Sequence, residues 1–460
     1  MTASHADGRT FDVVVIGSGL GGLSAAGFLA KAGLSVCLLE RNERAGGCVA
    51  GFEQAPYTFD PAVGAIARGV DDELRDGILA HLGARERCEL VPLEHAYRVV
   101  SGDVDLVVPI GLEAMIEAHA RLFPAERDAV ARFFTTCDRI LEDAHRLPLV
   151  LPFGELDSLA ERFPTFVRYR TALLGEVLDD FFEDESLKRV VAASWPWAGL
   201  QPARLSFSTF AQGLALLAHG TYEVVGSFSR LVDALVAGFV EAGGTFRPST
   251  AAARIRVQGE RVSGVELEDG EALSCRAVVG NADATTTFER LLGLDPPRLT
   301  PSVSATVVFL AAPRPVTGPA ETFLADDDDG AWVSARDHVL AVRALTERGV
   351  PRNVVELTQL AKQAFPDTGD AVASFTPADF AERTGNREGA IYGWANTPRQ
   401  TGSRRLSVVG PVAGLYLAGH WAQPGHGTYR AVLSGMHAAR ALLADQGAPD
   451  AVPEFRAAAN

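Results

Sequence analysis

Apolar positions along the chain change period several times, and each change predicts a different element. Val13-Val14-Val15-Ile16 is an unbroken β-branched run, as in strands buried on both faces. Leu23–Ala32 is rich in Ala and Leu and reads as a helix that Gly33 stops. Ser35–Leu39 predicts a second strand ending on Glu40. Within Ser229–Ala242, Leu231, Leu235, Val236 and Phe239 recur at helical spacing, and Gly243-Gly244 closes that helix. Thr245–Arg247, Arg254–Val257, Arg261–Glu268 and Ala277–Val279 then read as strands, with turns at Gln258-Gly259-Glu260 and Asp269-Gly270. The segment Val70–His219 reads mostly helical, Val303–Leu310 as a strand, and Tyr429–Asp445 as a long helix.

Three stretches, Val13–Ala30, Leu205–Tyr222 and Leu406–Tyr429, contain no Asp, Glu, Lys or Arg. Each is broken by Gly, Pro, Ser, Thr or His, so none makes a good transmembrane span. The N-terminus lacks a basic segment followed by an apolar core, so no signal peptide is expected. The chain has 460 residues, 47% hydrophobic and 22% charged, which suits a globular protein with ample core and more than one domain. Its 42 Lys and Arg against 58 Asp and Glu leave a net charge of −16. That balance excludes a general nucleic-acid binder and disfavours broad adsorption to anionic lipid. Five scattered cysteines with no CxxC pair exclude a disulfide framework and a zinc cluster, and a reducing cytoplasm is expected. Asp326–Asp329 followed by Gly330 invites a calcium-loop reading. It fails because the first ligand position would be Ala325 and the twelfth Arg336, so no metal is expected. The Ala-rich tail after Gly447 is expected to be loose.

The first strand runs at once into Gly17-Ser18-Gly19-Leu20-Gly21-Gly22, a G-x-G-x-x-G match through Gly17, Gly19 and Gly22. Gly17 permits the tight turn, Gly19 lets a pyrophosphate approach the backbone, and Gly22 lets helix and strand pack closely. The N–H groups at the helix start attract phosphate. Glu40 stands 21 residues after Gly19, where an acid holds ribose hydroxyls and disfavours a 2′-phosphate. Strand, turn, helix and acid together point to a dinucleotide carrying ADP-ribose.

Beyond Glu40 the chain reads Arg41-Asn42-Glu43-Arg44-Ala45-Gly46-Gly47-Cys48. A second Gly-Gly so soon after the ribose acid resembles the extended FAD fingerprint of the amine oxidase and phytoene desaturase superfamily. The ordered turns from Gly226 to Asp283 resemble its middle cofactor segment. Gly389–Trp394, Gly414–Trp421 and Gln423–Thr428 resemble its C-terminal one, closest to the carotenoid isomerase-like and retinol saturase-like members. The likeness covers about 200 residues in three pieces. It implies an α/β fold: a Rossmann-like FAD-binding domain of the glutathione reductase type (residues 9–66, 220–290 and 385–446) interleaved with a mixed α+β substrate domain (67–219 and 291–384). It implies FAD contacts from Gly17, Gly19, Leu20, Gly22, Glu40, Arg41, Gly46, Gly47, Cys48, Ala252, Gly419, His420, Gly427 and Thr428. Ala252 would meet the adenine ring through its backbone. The start of the last helix would face the flavin pyrimidine ring. Two departures matter. Many members have Arg after the second Gly pair, where this chain has Cys48. Many carry Gly-Gly-Gly then Val-Pro-Gly in the last loop, where this chain has Gly425-His426-Gly427 and then Thr428-Tyr429-Arg430.

The resemblance implies an oxidoreductase that desaturates a small apolar or polyene substrate, free or carrier-bound, by hydride transfer to flavin. A redox-neutral isomerase working on reduced FAD and a flavin-bearing binding protein are the alternatives. His426 is the expected base, since an ordinary imidazole titrates near pH 6.5. Tyr429 and Tyr392 are the other catalytic candidates. Arg430 pairs with an acid or holds a substrate carboxylate or phosphate. The aromatic residues between Phe133 and Phe210 are expected to be mainly core, with some lining a pocket. No transmembrane segment is expected, and a peripheral membrane contact stays open.

Overall fold

The β-branched run forms the central strand that its composition predicts. Thr10–Ile16 lies parallel to Val36–Leu39 on one side and to Ala272–Gly280 on the other. Thr245–Arg247 extends the sheet beyond Val36–Leu39, also in parallel. Ala272–Gly280 is shared at its far edge. Its first half pairs antiparallel with the hairpin strand Arg261–Leu267, and its last three residues pair parallel with Leu415–Leu417. Alternate side chains of the central strand enter two cores: Val13 and Val15 pack with the helices, and Val14 and Ile16 with Ala252, Ile255 and Val265. The computed structural model describes residues 10–147, 156–326, 328, 330–347, 349–448, 452–453 and 455.

Against the first core lie helices Leu20–Lys31, Phe228–Glu241 and Thr428–Asp445. The first and last cross with almost no space between backbones. A Cβ at Gly435 would sit 2.1 Å from the Gly21 carbonyl, and one at Gly21 would sit 2.5 Å from the Gly419 nitrogen. Any larger residue forces the helices apart, which is why glycines stand there.

A second seven-stranded sheet runs in the order Ala371–Phe375, Ser304–Ala311, Val339–Thr346, Ala331–Arg336, Glu321–Leu324, His95–Ser101, Val104–Pro109. Its pairs are antiparallel except Glu321–Leu324 with His95–Ser101. Helices Leu112–Leu122, Arg127–Arg146 and Phe207–His219 build a core on one side, with Phe133, Phe134, Phe207 and Phe210 inside it. The first sheet uses strands from 10–39, 245–280 and 415–417, the second from 95–109 and 304–375. The chain therefore passes between them repeatedly, and the small sheet Ile66–Ala67, Thr221–Val224, Leu90–Pro92 lies where it crosses. This is the interleaved α/β architecture expected from the sequence.

Two segments are held by local contacts. Asp326 accepts hydrogen bonds from Ser101 Oγ at 2.6 Å and from the Gly102 nitrogen, so it ties two loops together. Asp327 and Asp329 lie outside the described residues. Most of the tail after Gly447 does too, but Val452 is buried and the Phe455 ring stands 5.9 Å from Phe28. That part packs on the first helix. Among the described residues no helix is long and apolar enough to cross a membrane, and no His, Cys, Asp and Glu group is placed to hold a metal.

Candidate active site

The site starts at the ends of the parallel strands. Gly17 leaves its strand at φ +96°, a conformation that L side chains rarely adopt. The helix begins at Leu20, so the N–H groups of its first turn point away from the sheet without intrahelical partners. A Cβ at Gly22 would lie 2.0 Å from the Gly17 carbonyl oxygen, so this glycine sets the strand-to-helix spacing. Gly46 and Gly47, at φ +120° and +56°, lie against that turn, with the Gly46 nitrogen donating to the Ser18 carbonyl at 3.0 Å. The second glycine pair is thus a strap over the first fingerprint.

Glu40 is buried beside the turn. Its carboxylate accepts from the Ser18 nitrogen at 3.1 Å, from the Asn42 nitrogen and Nδ2 at 2.9 Å each, and from Ser18 Oγ. These neutral donors hold a charged acceptor at the cavity wall. At the opposite end, Gly427 at φ +98° opens helix Thr428–Asp445 with no side-chain cap. The Gly21–Gly435 crossing therefore brings two helix N-termini to one cavity, which Leu20 and Thr428 both line. Two positive helix ends with free N–H donors, plus a carboxylate for hydroxyl groups, are the donor set that a dinucleotide requires. FAD fits this cradle.

Every expected cofactor residue lines that cavity except Gly22, which sits behind the turn and acts on packing alone. Ala252 is at its rim, at the start of strand Ala252–Gln258 and beside Arg290. Arg41 reaches out of it to the Glu382 carbonyl. Burial pushes the Cys48 thiol up to about 12, so no thiolate is available there. His420 is held neutral, its imidazole pushed down to about 4 by burial and by nearby Arg405. Asn281 belongs to no glycine motif, yet its carboxamide is wedged between the first and last glycine turns. A Cβ at Gly19 would lie 2.8 Å from its Nδ2, and one at Gly419 2.5 Å from its Oδ1. The only sequence signal for it was its place straight after the Ala272–Gly280 strand.

A second, apolar pocket adjoins the cradle. Ala62, Val63, Tyr392, Gly427 and Thr428 line both spaces. Trp197, Phe210, Leu214, Leu217 and Trp332 form most of its apolar wall, so two of the aromatic candidates, Trp197 and Phe210, do line a pocket.

His426, Tyr392 and Tyr429 all face this pocket, and each is engaged by hydrogen bonds to the surrounding wall. Arg405 can only donate, and its Nη1 lies 3.1 Å from Asn396 Oδ1. The Asn396 Nδ2 therefore donates to the Ala198 carbonyl at 2.8 Å and to His426 Nδ1 at 3.0 Å. His426 Nε2 in turn donates to the Trp197 carbonyl at 3.0 Å. Its tautomer is fixed, and its one lone pair is taken. Burial, reinforced by Arg430 and Arg405, holds its proton affinity well below that of an ordinary imidazole. Tyr392 donates to the Pro196 carbonyl at 3.1 Å, and burial raises its phenol. Tyr429 donates to Glu73 Oε2 at 2.5 Å. Two of the three thus clamp the Trp195–Ala198 turn, and the third braces Glu73. Asn396 and Arg405 complete the clamp, and only spatial proximity reveals them.

The FAD dependent oxidoreductase family matches residues 12–441. The chain belongs to that family: it is an FAD-dependent oxidoreductase. Along 95% of its length it is 28% identical to the hydroxyneurosporene desaturase of Rhodobacter capsulatus, covering 98% of that protein. Along 94% it is 26% identical to the carotenoid 3,4-desaturase of Haloarcula japonica, covering 98% of it. Among solved structures, cyclohexylamine oxidase from Brevibacterium oxydans superposes with a TM-score of 0.65 at 16% identity, over 95% of this chain and 99% of that one. At that identity the likeness establishes the fold alone.

Proposed function

We propose that this protein desaturates an apolar polyene. The observation that carries the reading is the pocket continuity: one set of residues, Ala62, Val63, Tyr392, Gly427 and Thr428, lines both the cofactor cradle and the apolar space. The two named relatives are carotenoid desaturases, which supports a polyene over an amine. When bound, FAD supplies a two-electron hydride acceptor. The residues of the chain contribute position and dryness. Gly19, Leu20 and Thr428 would present N–H groups to the cofactor phosphates and ring, while the Gly17 nitrogen stays bonded to the Leu39 carbonyl at 2.8 Å. Glu40 would take ribose hydroxyls, and Gly46 and Gly47 would close over them. Trp197, Phe210 and Trp332 exclude water around the carbon chain. Losing hydride leaves positive charge on the substrate, and conjugation spreads it, so the neighbouring proton needs only a weak acceptor. That fits a pocket with no carboxylate among its described lining residues. In this reading residues 9–66, 220–290 and 385–446 form the cofactor domain, and 67–219 and 291–384 the substrate domain. Five cysteines, none in a disulfide among the described residues, suit a reducing cytoplasm.

The test is anaerobic mixing of FAD-loaded protein with an acyclic conjugated carotene. The expected result is substrate-dependent loss of the visible flavin band, with a product lighter by two hydrogen atoms. A product of unchanged mass, formed only after reduction with dithionite, would show an isomerase instead.

A further inference from the structure

Arg430 stands in the first turn of helix Thr428–Asp445, where the helix dipole already disfavours a cation. Its side chain lines the apolar pocket. Among the described residues no carboxylate forms an ion pair with it. Its hydrogen bond is a long one, 3.5 Å from Nη2 to Gln212 Oε1, and Gln212 is itself held by Ser208. The expected structural ion pair is therefore not what this arginine makes. Burial alone pulls its guanidinium down to about 10, and Arg405 lies near enough to act on the same His426. Thr221 lines the same pocket, and its buried Oγ1 has no hydrogen-bond partner among the described residues. Arg430 is half-buried, and a guanidinium drawn even partly out of water is costly unless a counter-charge meets it. A neutral hydroxyl or ether cannot supply that charge, whereas a carboxylate matches the planar fork with two parallel hydrogen bonds.

We propose that Arg430 binds a carboxylate on the substrate, so that the pocket takes an apolar chain ending in, or carrying, an acid group. This rests on the reading of the apolar pocket as the substrate site. It is testable apart from desaturation, because binding needs no turnover.

Full-length, FAD-loaded protein is titrated with oleate and with oleyl alcohol, following tryptophan fluorescence from Trp197 and its neighbours. The expected result is at least ~30-fold tighter binding of oleate, the scale on which a desolvated charge pair acts. Arg430→Met should abolish that preference while keeping the alcohol's affinity, and Arg430→Lys should keep part of it. Should Arg430→Met fail to fold, the wild type decides: the preference must fade as the oleate carboxylate is protonated in acid. Equal affinities for acid and alcohol, an oleate affinity unchanged in folded Arg430→Met, or a preference indifferent to acid would each overturn the proposal. If carotene is desaturated while these fail, only the acid group is wrong. If oleate preference holds while carotene is untouched, only the polyene reading is wrong.

Discussion

Asn396→Asp alters a single group in the pocket wall and should reverse the charge state of His426. In the native wall the Asn396 Nδ2 donates to His426 Nδ1 at 3.0 Å, while Oδ1 accepts from Arg405. A carboxylate there keeps the Arg405 bond but aims an anionic oxygen at a lone pair. Protonation of Nδ1 converts that repulsion into attraction. Two unit charges at the present 3.0 Å separation interact by about 5 kcal/mol at an effective dielectric constant of about 20. That opposes the burial and the neighbouring arginines that now keep the ring neutral. The Ala198 carbonyl loses its donor, which costs about 1–3 kcal/mol.

The pH dependence follows from linkage. In the native protein His426 is depressed, so its contribution is complete above about pH 6.5 and is lost as pH falls below that value. In the variant the histidine is raised. Its contribution is complete below about pH 6.5 and is lost as pH rises through the new midpoint. Urea unfolding of both proteins between pH 5.5 and 7.5 should therefore show the variant's penalty shrinking toward acid, over roughly that window. Histidine-labelled NMR should show a protonated His426 only in the variant. A penalty independent of pH, or a native His426 titrating near pH 6.5, would refute the hydrogen-bond chain drawn from Arg405 to Trp197.

Two further outcomes follow from packing and burial. Gly435→Ala places a methyl 2.1 Å from the Gly21 carbonyl, so the first and last helices must separate. A loss of about 1–3 kcal/mol in urea unfolding, with weaker FAD retention on gel filtration, is expected, and an unchanged midpoint would show the crossing to be slack. His119 is fully buried, with Nδ1 donating to the Met115 carbonyl at 2.7 Å and the ring pushed down to about 4. Its stabilisation is complete above about pH 6.5 and falls by roughly 3 kcal/mol on acidification to pH 4. His119→Leu should flatten that acid limb, and an identical pH profile in the variant would count against a neutral buried ring.

Local rules carried much of this protein. The run Val13–Ile16, the turn Gly17–Gly22 and the acid at Glu40 interact within one strand–helix–strand unit, and the chain order alone places them. Steric need is also local: a φ of +96° at Gly17 or +120° at Gly46 selects glycine whatever lies elsewhere. The glycine turns and the acid beside them were therefore legible in the chain order alone.

The reacting side was not. His426 looked like a base because an isolated imidazole is one. Its chemistry is decided by Asn396, 30 residues earlier, and by the Trp197 carbonyl, 229 residues earlier. Arg430 was expected to pair with an acid or to hold a substrate anion, and among the described residues no carboxylate forms an ion pair with it; its long hydrogen bond goes to Gln212. Proton affinity and pairing depend on desolvation and on which donors arrive from distant segments. Those are properties of the packed interior, where a few ångströms decide the sign. The chain alone determined the cofactor and the two-sheet plan. Only the tertiary structure decided which distant groups hold His426 and that Arg430 faces the apolar pocket.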